Sequence, residues 1–394
     1  MENNFKMIAK TFYGMEKLLA DELRLLGATD VLEGNRLVYF KVDKGFMYKA
    51  NLCLRTALKI LKPIFKFRAE NESILYKKLY QYDWHRILSS NHTFAIDSVV
   101  LGKVFNHSLY ITQRCKDAIV DRFVKDQGKR PSVDTREPDI RLHLHIFDQK
   151  CSLSLDTSGK SLHQRGYRSI TNIAPLNEVL AAGIIMLSDW DCRTDFMDPM
   201  CGSGTILIEA AMMACKIPVN INRNFFAFEK WNDWDKELFN KIKMSKLDRF
   251  VSPTGKIYGF DKAPSAVKKA ITNIQNAGLE DFIKVNRTNF FNSQKIDNSG
   301  LHLLSNPPYG ERLDGDINTL YKNFGDTLKR SYPDTQVWII SSNFQALKFF
   351  GLRPRKKIKL FNGKLETRLC NFPIYEGTKK VHKLKNQKIN PFES

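Results

Sequence analysis

One short stretch, Asn306-Pro307-Pro308-Tyr309, has residue types that can position a reacting amine. It follows the apolar run 301–304, which is typical of a buried strand, and proline ends a strand because it lacks an N–H and fixes its own φ. Asn306 Oδ1 and the Pro307 carbonyl can accept the two N–H hydrogens of an exocyclic amine, whose lone pair is otherwise shared with its ring. The prolines hold the carbonyl direction at little entropic cost, and Tyr309 offers a flat face for an unstacked base.

A second stretch, DPMCGSGT at 198–205, opens a helix after another predicted strand. Ligands of doubly wound sheets bind at the carboxyl ends of strands, and glycines let them approach the backbone closely. A dinucleotide fingerprint needs a third glycine at the position of Leu207. The carboxylate of Asp198 would repel a pyrophosphate and attract an ammonium or sulfonium group, so S-adenosyl-L-methionine fits. Cys201 has no histidine near it in sequence, and we interpret it as a small loop residue.

Two further strand ends carry polar residues that can complete a cofactor site. Asp261 ends the strand of YGFDKAP, where a carboxylate can bind both hydroxyls of a ribose. The spacing between Asp261 and the glycines is longer than the usual ~20 residues. We interpret FAFEKWNDWDKELF, which lies between them, as an inserted helical segment that accounts for the difference. Asn289, followed by Phe290, ends a third strand, and its amide can hydrogen-bond an adenine edge.

The elements that position these residues alternate between strand and helix from about residue 190, which predicts a parallel, doubly wound sheet. The later run KKIKLFNGKLETRL has Asn362-Gly363 between two alternating segments, which is a strong hairpin signal. The sequence therefore predicts an α/β domain whose sheet ends in an antiparallel hairpin.

Two smaller α/β stretches precede this domain. Within residues 5–60, the spacing of apolar residues predicts strands in MIAKTF and RLVYFKV and helices in EKLLADELRLLG and FMYKANLCLRTALKIL. Residues 61–162 predict helices in LYQYDWHRIL and SLYITQRCKDAIVDRFVKD, a strand in HTFAIDSVV, and a hairpin in RLHLHIFDQKCSLSLDTSG. His143 and His145 share its polar face, which we interpret as solvated or RNA-facing and not as a metal pair, because no third ligand lies nearby.

The charge of the chain indicates a polyanionic partner. Its 394 residues include 62 Lys+Arg and 42 Asp+Glu, a formal net charge of +20, which is typical of nucleic-acid-binding proteins. A solvated basic surface is the alternative. The basic residues that we expect to contact phosphate lie in a polar connector and near the C-terminus: Arg165, Arg168, Lys356, Lys357 and Lys359.

Other classes of protein are disfavoured by composition. Seven scattered cysteines without a C-x-x-C pattern predict neither a disulfide framework nor a zinc site. No apolar run approaches the length needed to span a bilayer. We therefore expect a cytoplasmic protein with no metal and no membrane partner, and the sequence leaves its oligomeric state open.

Together, DPMCGSGT and NPPYGERL resemble the motifs of class I, amino-methylating S-adenosylmethionine-dependent methyltransferases. The segment PSVDTREPDIRLHLHIF…CSLSLDTSGKSLHQRGYR resembles the end of a THUMP domain, an RNA-binding module, and its link to a catalytic domain. With FAFEKWNDWD, nearly the full chain resembles the bacterial 23S rRNA guanine-N2 methyltransferases that modify guanine 2445, in their single-enzyme form. Longer fused members carry a second methyltransferase domain; 379–394 is too short for one, so no second activity is expected.

The resemblance implies a Rossmann-like, seven-stranded class I methyltransferase domain with a C-terminal antiparallel hairpin, after an N-terminal α/β region. It implies a ferredoxin-like unit at 1–60, a THUMP-like RNA-binding domain at 61–162, a methyltransferase domain with its entry linker at 163–378, and a basic tail at 379–394. The implied site residues surround S-adenosyl-L-methionine and a flipped base. For the cofactor they are Asp198, Pro199, Cys201, Gly202, Gly204, Thr205, Asp261, Asn289 and Phe290; for the target amine they are Asn306, Pro307, Pro308 and Tyr309.

The implied substrate is 23S rRNA or a precursor particle. Asn289 departs from the family pattern, which has an acid at that position. NPPY also occurs in DNA adenine and glutamine methyltransferases. Methylation of another RNA at guanine N2 or adenine N6, methylation of DNA adenine, and a non-catalytic RNA-binding assembly role therefore stay open as alternatives.

Overall fold

The computed structural model describes residues 4–168, 176–297, 299–308 and 316–375. It contains two compact units. The first comprises Met1–Thr11, Glu16–Leu162 and Arg223–Ser245, and the second comprises Phe12–Met15, His163–Asn222 and Lys246–Ser394. The predicted basic tail at 379–394 lies outside the described residues.

The helices of the described ranges alternate with strands along most of the chain. They are α1 (Glu16–Leu26), α2 (Lys44–Cys53), α3 (Glu72–Gln81), α4 (Ser108–Gln127), α5 (Glu178–Leu187), α6 (Thr205–Ala214), α7 (Lys236–Leu247), α8 (Pro264–Asn276) and α9 (Ile317–Ser331). Four short 3₁₀ helices lie at Trp84–Arg86, Ala227–Lys230, Phe290–Asn292 and Ala346–Phe350.

One eight-stranded sheet runs through the first unit. Its strands are β1 (Phe5–Lys10), β2 (Thr29–Gly34), β3 (Leu37–Val42), β4 (Lys59–Arg68), β5 (Thr93–Leu101), β6 (Ser132–Val133), β7 (Ile140–Phe147) and β8 (Lys150–Asp156). They lie in the order β2-β3-β1-β4-β8-β7-β5-β6, so the stretches 5–60 and 61–162 share one sheet. The predicted hairpin is confirmed as β7 and β8, which pair antiparallel.

Helix α4 matches the prediction closely. Its residues Ile111, Cys115, Ile119 and Phe123 are buried at four-residue intervals, which places them on one face of the helix. Gly128 follows with φ +65°, a left-handed conformation that ends the helix and that glycine adopts without strain.

Two predicted helices of the first unit were wrong in extent. The helix predicted over 46–61 ends at Cys53, and the remainder enters β4, where Ile60 is fully buried in the sheet. The helix predicted over 79–88 lies earlier, because the Asn71 side chain accepts from the Ile74 N–H at 3.0 Å and starts α3 there. In both cases a cap or a tertiary contact overrides the apolar spacing.

The second unit contains the predicted seven-stranded sheet. Its strands are β9 (Asp195–Asp198), β10 (Ile257–Asp261), β11 (Ile283–Arg287), β12 (Leu301–Ser305), β13 (Thr335–Ser341), β14 (Lys356–Asn362) and β15 (Leu365–Ile374). The order is β11-β10-β9-β12-β13-β15-β14. The first five strands are parallel, and β15 pairs antiparallel with both β13 and β14, so the doubly wound sheet with a C-terminal hairpin is confirmed.

The inserted segment after α6 packs within the first unit and not with the sheet that it interrupts. The Phe228 ring lies 4.6 Å from the Tyr48 ring on α2, and Trp234 and Phe239 join the same aromatic group. Residues 223–245 therefore depart from a contiguous second domain at 163–378.

Within the described ranges, no helix combines the length and apolarity needed to cross a bilayer.

Candidate active site

The carboxyl ends of β9 and β12 form the topological switch point of the second sheet, where the order in which strands are added reverses. The two strands are parallel neighbours, but the chain continues from β9 to β10 on one side and from β12 to β13 on the other. Doubly wound sheets bind ligands in the crevice at such a point. Asp198 is the last residue of β9, and Asn306 directly follows β12, so the structure brings the glycine loop and the Asn-Pro-Pro corner to one edge of the sheet.

The glycine loop turns tightly between β9 and α6. Gly202 and Gly204 have φ of +55° and +81°. A Cβ on Gly204 would lie 3.3 Å from the Ala270 Cβ, so a side chain would strain the backbone and crowd α8. The Cys201 N–H donates to the Phe260 carbonyl at 2.9 Å, which ties the loop to β10. Thr205 is the first residue of α6.

Asp261 braces that loop from the end of β10. Its Oδ2 accepts from the Gly202 N–H at 3.0 Å, and its Oδ1 accepts from the Ala263 N–H at 2.9 Å. The residue is partly exposed. Each carboxylate oxygen can accept a second hydrogen bond, so the group is able to receive a pair of ribose hydroxyls.

Asp198 carries a buried carboxyl group beside the loop. Its Oδ1 accepts from the Ser305 hydroxyl at 2.7 Å and from the Met200 N–H at 3.1 Å. Burial, with a smaller contribution from the nearby charge of Asp261, raises the pKa of this carboxyl to about 7 against the opposing effect of the two hydrogen bonds. A cationic ligand in the crevice would therefore stabilise the ionised form.

Asn306 presents an acceptor that no described residue satisfies. Its Oδ1 is buried and has no hydrogen-bond partner among the described residues. An unsatisfied buried acceptor costs about 1–3 kcal/mol, so a ligand N–H bound there would relieve it. Pro307 is buried and Pro308 is exposed, while Tyr309 lies outside the described residues. The Asn306 acceptor, the open glycine loop and the two carboxylates fit a cationic nucleoside cofactor and an amine substrate.

Two residues predicted for the cofactor site are placed differently. Strand β11 ends at Arg287, and the exposed Asn289 uses its Oδ1 to accept from the Phe291 N–H at 3.2 Å. The Phe290 ring is 2% exposed and lies 4.7 Å from the Phe324 ring, in the core. The Phe290 ring therefore faces the core and not the crevice, and a contact between Phe290 and the cofactor stays a prediction.

The two connector arginines are also corrected. Arg165 is 1% exposed, and its Nε lies 3.4 Å from Glu209 Oε1 on α6. Arg168 donates to Thr205 Oγ1 at 2.7 Å and pairs with Glu178 on α5 at 3.3 Å. Both guanidinium groups are engaged inside the second unit, so they are not phosphate contacts; they tie the connector to the helix that follows the glycine loop.

The sequence contains a signal that could have identified the carboxylates that pair with these two arginines. Glu209 is the one charged residue in the apolar helix TILIEAAMMA, and Glu178 begins the equally apolar α5. An isolated carboxylate on an all-buried helix needs a buried cation. Burial raises the pKa of Glu178 to about 7, and the adjacent Arg168 opposes that rise.

Replacing Arg165 by methionine is expected to destabilise the protein by about 3–5 kcal/mol, because it leaves Glu209 buried without its cation. Denaturant unfolding measures this change. The double variant Arg165→Met/Glu209→Leu, which removes both charges, should recover much of the loss. Wild-type stability with weakened RNA binding in the single variant would instead restore the phosphate-contact role.

The three hairpin lysines are exposed but do not form one cluster. Successive side chains of a strand point to opposite faces, so Lys357 and Lys359 share one face of β14 and Lys356 points to the other. Lys356 Nζ lies 3.7 Å from Asp189, and Lys359 Nζ lies 2.8 Å from Glu366.

Within the described ranges, no group of three or more His, Cys, Asp or Glu side chains is placed to hold a metal ion. Cys201 is 6% exposed, and burial raises the pKa of its thiol well above the ordinary value, so the thiol is poorly suited to nucleophilic attack.

Comparison with known families agrees with this geometry. The model described as RMKL-like, methyltransferase domain, matches residues 165–371, which include both stretches of the candidate site. The chain belongs to the RMKL-like methyltransferase family. Two further family models match the N-terminal part of the chain: that of the THUMP domain matches residues 69–156, and that of the RlmL ferredoxin-like domain matches residues 6–61. The resemblance inferred from the sequence is thereby confirmed.

Individual relatives extend over nearly the whole chain. The "Ribosomal RNA large subunit methyltransferase K/L" of Syntrophotalea carbinolica is 36% identical over 388 residues, which are 95% of this chain and 54% of the relative. The chain thus spans about half the length of the curated relatives it matches. The crystal structure of SMU.472 complexed with SAH is 30% identical, covers 96% of this chain and 100% of its own, and has a TM-score of 0.85.

A third similar protein carries a different substrate in its name. The structure of a "predicted N6-adenine-specific DNA methylase" from Listeria monocytogenes is 28% identical, with a TM-score of 0.83, and covers 95% of this chain and 97% of its own. The fold is therefore common to proteins named for different substrates.

Proposed function

We propose that this chain transfers a methyl group from S-adenosyl-L-methionine to the exocyclic N2 amine of a guanine in 23S rRNA. The observation that carries the proposal is the buried Asn306 Oδ1, which has no partner in the part of the chain that the structure describes and lies at the same sheet edge as the glycine loop and Asp198. The THUMP match, the net charge of +20 and the ribosomal RNA named for the curated relatives support RNA as the substrate.

The cofactor supplies an electrophilic methyl group on a sulfonium centre. In this proposal Asp198 provides the negative charge that favours the cation, Asp261 receives the ribose hydroxyls, and the backbone of 199–205 lies against the cofactor. Asn289 stays a candidate for an adenine contact through its exposed amide, since within the described ranges only its Oδ1 accepts a hydrogen bond. These residues bind and orient, and their contribution is positioning.

The target guanine reaches the crevice by leaving its stack. Asn306 Oδ1 and the Pro307 carbonyl accept the two N2 hydrogens, and Pro308 keeps the corner rigid. Tyr309, which lies outside the described residues, is proposed to stack on the base. The methylated amine is strongly acidic while it still carries both protons, so solvent can remove the extra proton and no strong base is required.

The N-terminal part is proposed to capture the RNA. We divide it into a ferredoxin-like unit at 1–60 and a THUMP-like domain at 61–162, followed by the methyltransferase domain at 163–378 with 223–245 inserted, and a basic tail at 379–394. A substrate in the ribosome or its precursor implies a cytoplasmic location.

Changing both Lys357 and Lys359 to glutamine is expected to lower the slope of log affinity against log salt for RNA by about 1.4–1.8, since each neutralised phosphate contact contributes about 0.7–0.9. Filter binding across a salt series measures the slope. Lys356→Gln serves as the control on the opposite face of β14 and should change it less. An unchanged slope in the double variant would remove the hairpin from the RNA interface.

The proposal is tested by methyl transfer from radiolabelled S-adenosyl-L-methionine to separated nucleic acids that lack the modification. The expected result is label in large-subunit rRNA and none in tRNA or DNA. Label in DNA would favour the adenine activity named for the Listeria protein. Failure to bind S-adenosyl-L-methionine in calorimetry would favour a non-catalytic RNA-binding role.

A further inference from the structure

An open cleft of about 540 Å³ lies on the eight-stranded sheet of the first unit. Most of its lining residues point outward from β1, β3, β4, β7 and β8, and their inward-pointing neighbours form the core. Phe67 and Cys151 also border it, but both pack against the core. The volume is in the range of small-ligand sites. Its lining residues include none of those assigned to the methyl-transfer site and none of the hairpin lysines.

The lining combines cations with flat aromatic surfaces. It contains Lys10, Lys66, Arg68 and Lys150 and no aspartate or glutamate. Two carboxylates outside the lining, Asp156 and Asp97, act on Lys10. Both also face other cations: Asp156 pairs with Lys59 at 2.5 Å, and Asp97 pairs with Arg141 at 3.2 Å. The lining itself therefore carries a net positive charge.

The aromatic rings of the cleft are accessible. Tyr39 is 44% exposed and Phe147 is 53% exposed, and both project from the sheet surface. Phe67 also borders the cleft, but its ring is partly buried, packs against the core and stacks on Phe65 at 4.7 Å, so it is not counted among the accessible rings. Basic side chains interleaved with exposed rings are the surface on which unpaired bases stack while phosphates are neutralised.

Polar groups at the cleft floor are arranged to receive a ligand. His143 Nε2 lies 3.0 Å from Lys10 Nζ, and burial together with that ammonium lowers the pKa of His143 to about 3, so the imidazole is neutral. Lys10 retains donors beyond this one hydrogen bond. Ser152 Oγ is buried with no hydrogen-bond partner among the described residues.

We propose that this cleft binds a single-stranded segment of RNA, with bases stacked on Tyr39 and Phe147 and phosphates paired with Lys66 and Lys150. This deepens the proposed function, on which it rests for the identity of the polyanion. The charge of the lining and the lack of carboxylates favour RNA over a peptide, whose backbone would need unpaired strand edges that the centre of a sheet does not offer.

The test uses the full chain without cofactor and a labelled oligouridine of about 12 nucleotides, within the site sizes known for single-strand binders. Tyr39→Ala and Phe147→Ala are each expected to weaken binding by about five- to 150-fold, which corresponds to the loss of one stacked base. Lys66→Gln combined with Lys150→Gln should lower the salt slope by about 1.4. All four side chains are exposed, so these variants keep the fold.

Matched controls lie on the helices of the same unit. Tyr110→Ala removes an equally exposed ring of α4, and Lys77→Gln with Lys78→Gln removes the same charge from α3. Both are expected to bind oligouridine as the wild type does. Photo-crosslinking with 4-thiouridine in the oligomer should place adducts on peptides that contain Tyr39 or Phe147.

Wild-type affinity and salt slope in the cleft variants, or adducts confined to other surfaces, would overturn the proposal and leave a peptide as the alternative occupant. Methyl transfer to rRNA measured in parallel separates the two hypotheses. Transfer with unaffected cleft variants refutes the cleft alone, whereas weakened cleft variants without any transfer refute the methyltransferase assignment alone.

Discussion

Replacing Asn306 by alanine is expected to lower the rate of methyl transfer by about 10²–10³-fold, the effect of losing one preorganised polar group in an active site. The amide oxygen is buried and unpartnered among the described residues, so its free acceptor is available to the substrate amine. Without it, the amine keeps its lone pair in the ring and the reacting atoms are poorly aligned. Single-turnover kinetics with labelled cofactor measure the rate directly.

Binding of S-adenosyl-L-methionine to Asn306→Ala should stay within a few-fold of wild type, because the loss falls on the reacting step. Asn286→Ala is the matched control, since Asn286 is an exposed asparagine on β11 of the same sheet. It should react at the wild-type rate. Near-normal turnover of Asn306→Ala would refute the assignment of Asn306 to the target amine.

Replacing Asp198 by asparagine is expected to weaken S-adenosyl-L-methionine binding about 100-fold, within the range for removing one partner of a buried charge pair. Asparagine retains the shape and can still accept from the Ser305 hydroxyl and the Met200 N–H. Calorimetric titration at pH 8 measures the affinity. Ser305→Ala, which keeps the carboxylate and removes one donor, is the companion variant and should have a smaller effect.

The pH dependence gives this prediction a separate signature. Burial raises the pKa of Asp198 to about 7 in the ligand-free protein, so the carboxyl is neutral at lower pH. The affinity for a cationic cofactor should therefore rise between pH 6 and 8, by up to about tenfold for each unit below that pKa. Asp198→Asn should show no such rise. Equal affinity and the same pH dependence in wild type and variant would contradict the role of Asp198.

The contribution of Asp198 to the stability of the ligand-free protein changes with pH in the opposite direction to its contribution to cofactor binding. Because the folded pKa of Asp198 lies above the ordinary value of 3.8, its contribution to the stability of the ligand-free protein is largest below that value and is lost as the pH rises through 7. The neutral asparagine avoids this loss. A melting temperature of Asp198→Asn at pH 8 at or above that of the wild type would show that the weakened binding does not arise from unfolding.

Local signals were enough to predict most of the second unit. The hairpin of β14 and β15 follows from Asn362-Gly363 between two alternating runs, and the parallel sheet follows from alternating strands and helices. The glycine loop and Asn306 were found because each combines a strand end with residues that a strand or helix interior excludes. Their meeting at one edge then follows from the strand order.

Burial was the main quantity that the sequence did not reveal. Arg165 and Arg168 lie in a polar connector whose composition is typical of phosphate binding. Their carboxylate partners lie on α5 and α6, and local sequence patterns do not reveal pairs between residues so far apart in the chain. His143 alternates like a solvated residue yet is 6% exposed beside Lys10. The packing of 223–245 in the first unit likewise depends on aromatic contacts far apart in sequence.

The central claim is most directly tested by mass spectrometric analysis of the nucleosides in 23S rRNA, isolated without the modification and then incubated with this chain and S-adenosyl-L-methionine. The account predicts N2-methylguanosine at one position, dependent on Asn306. N6-methyladenosine as the product would contradict the choice of amine, and 23S rRNA that stays unmethylated although the cofactor binds would contradict the choice of substrate.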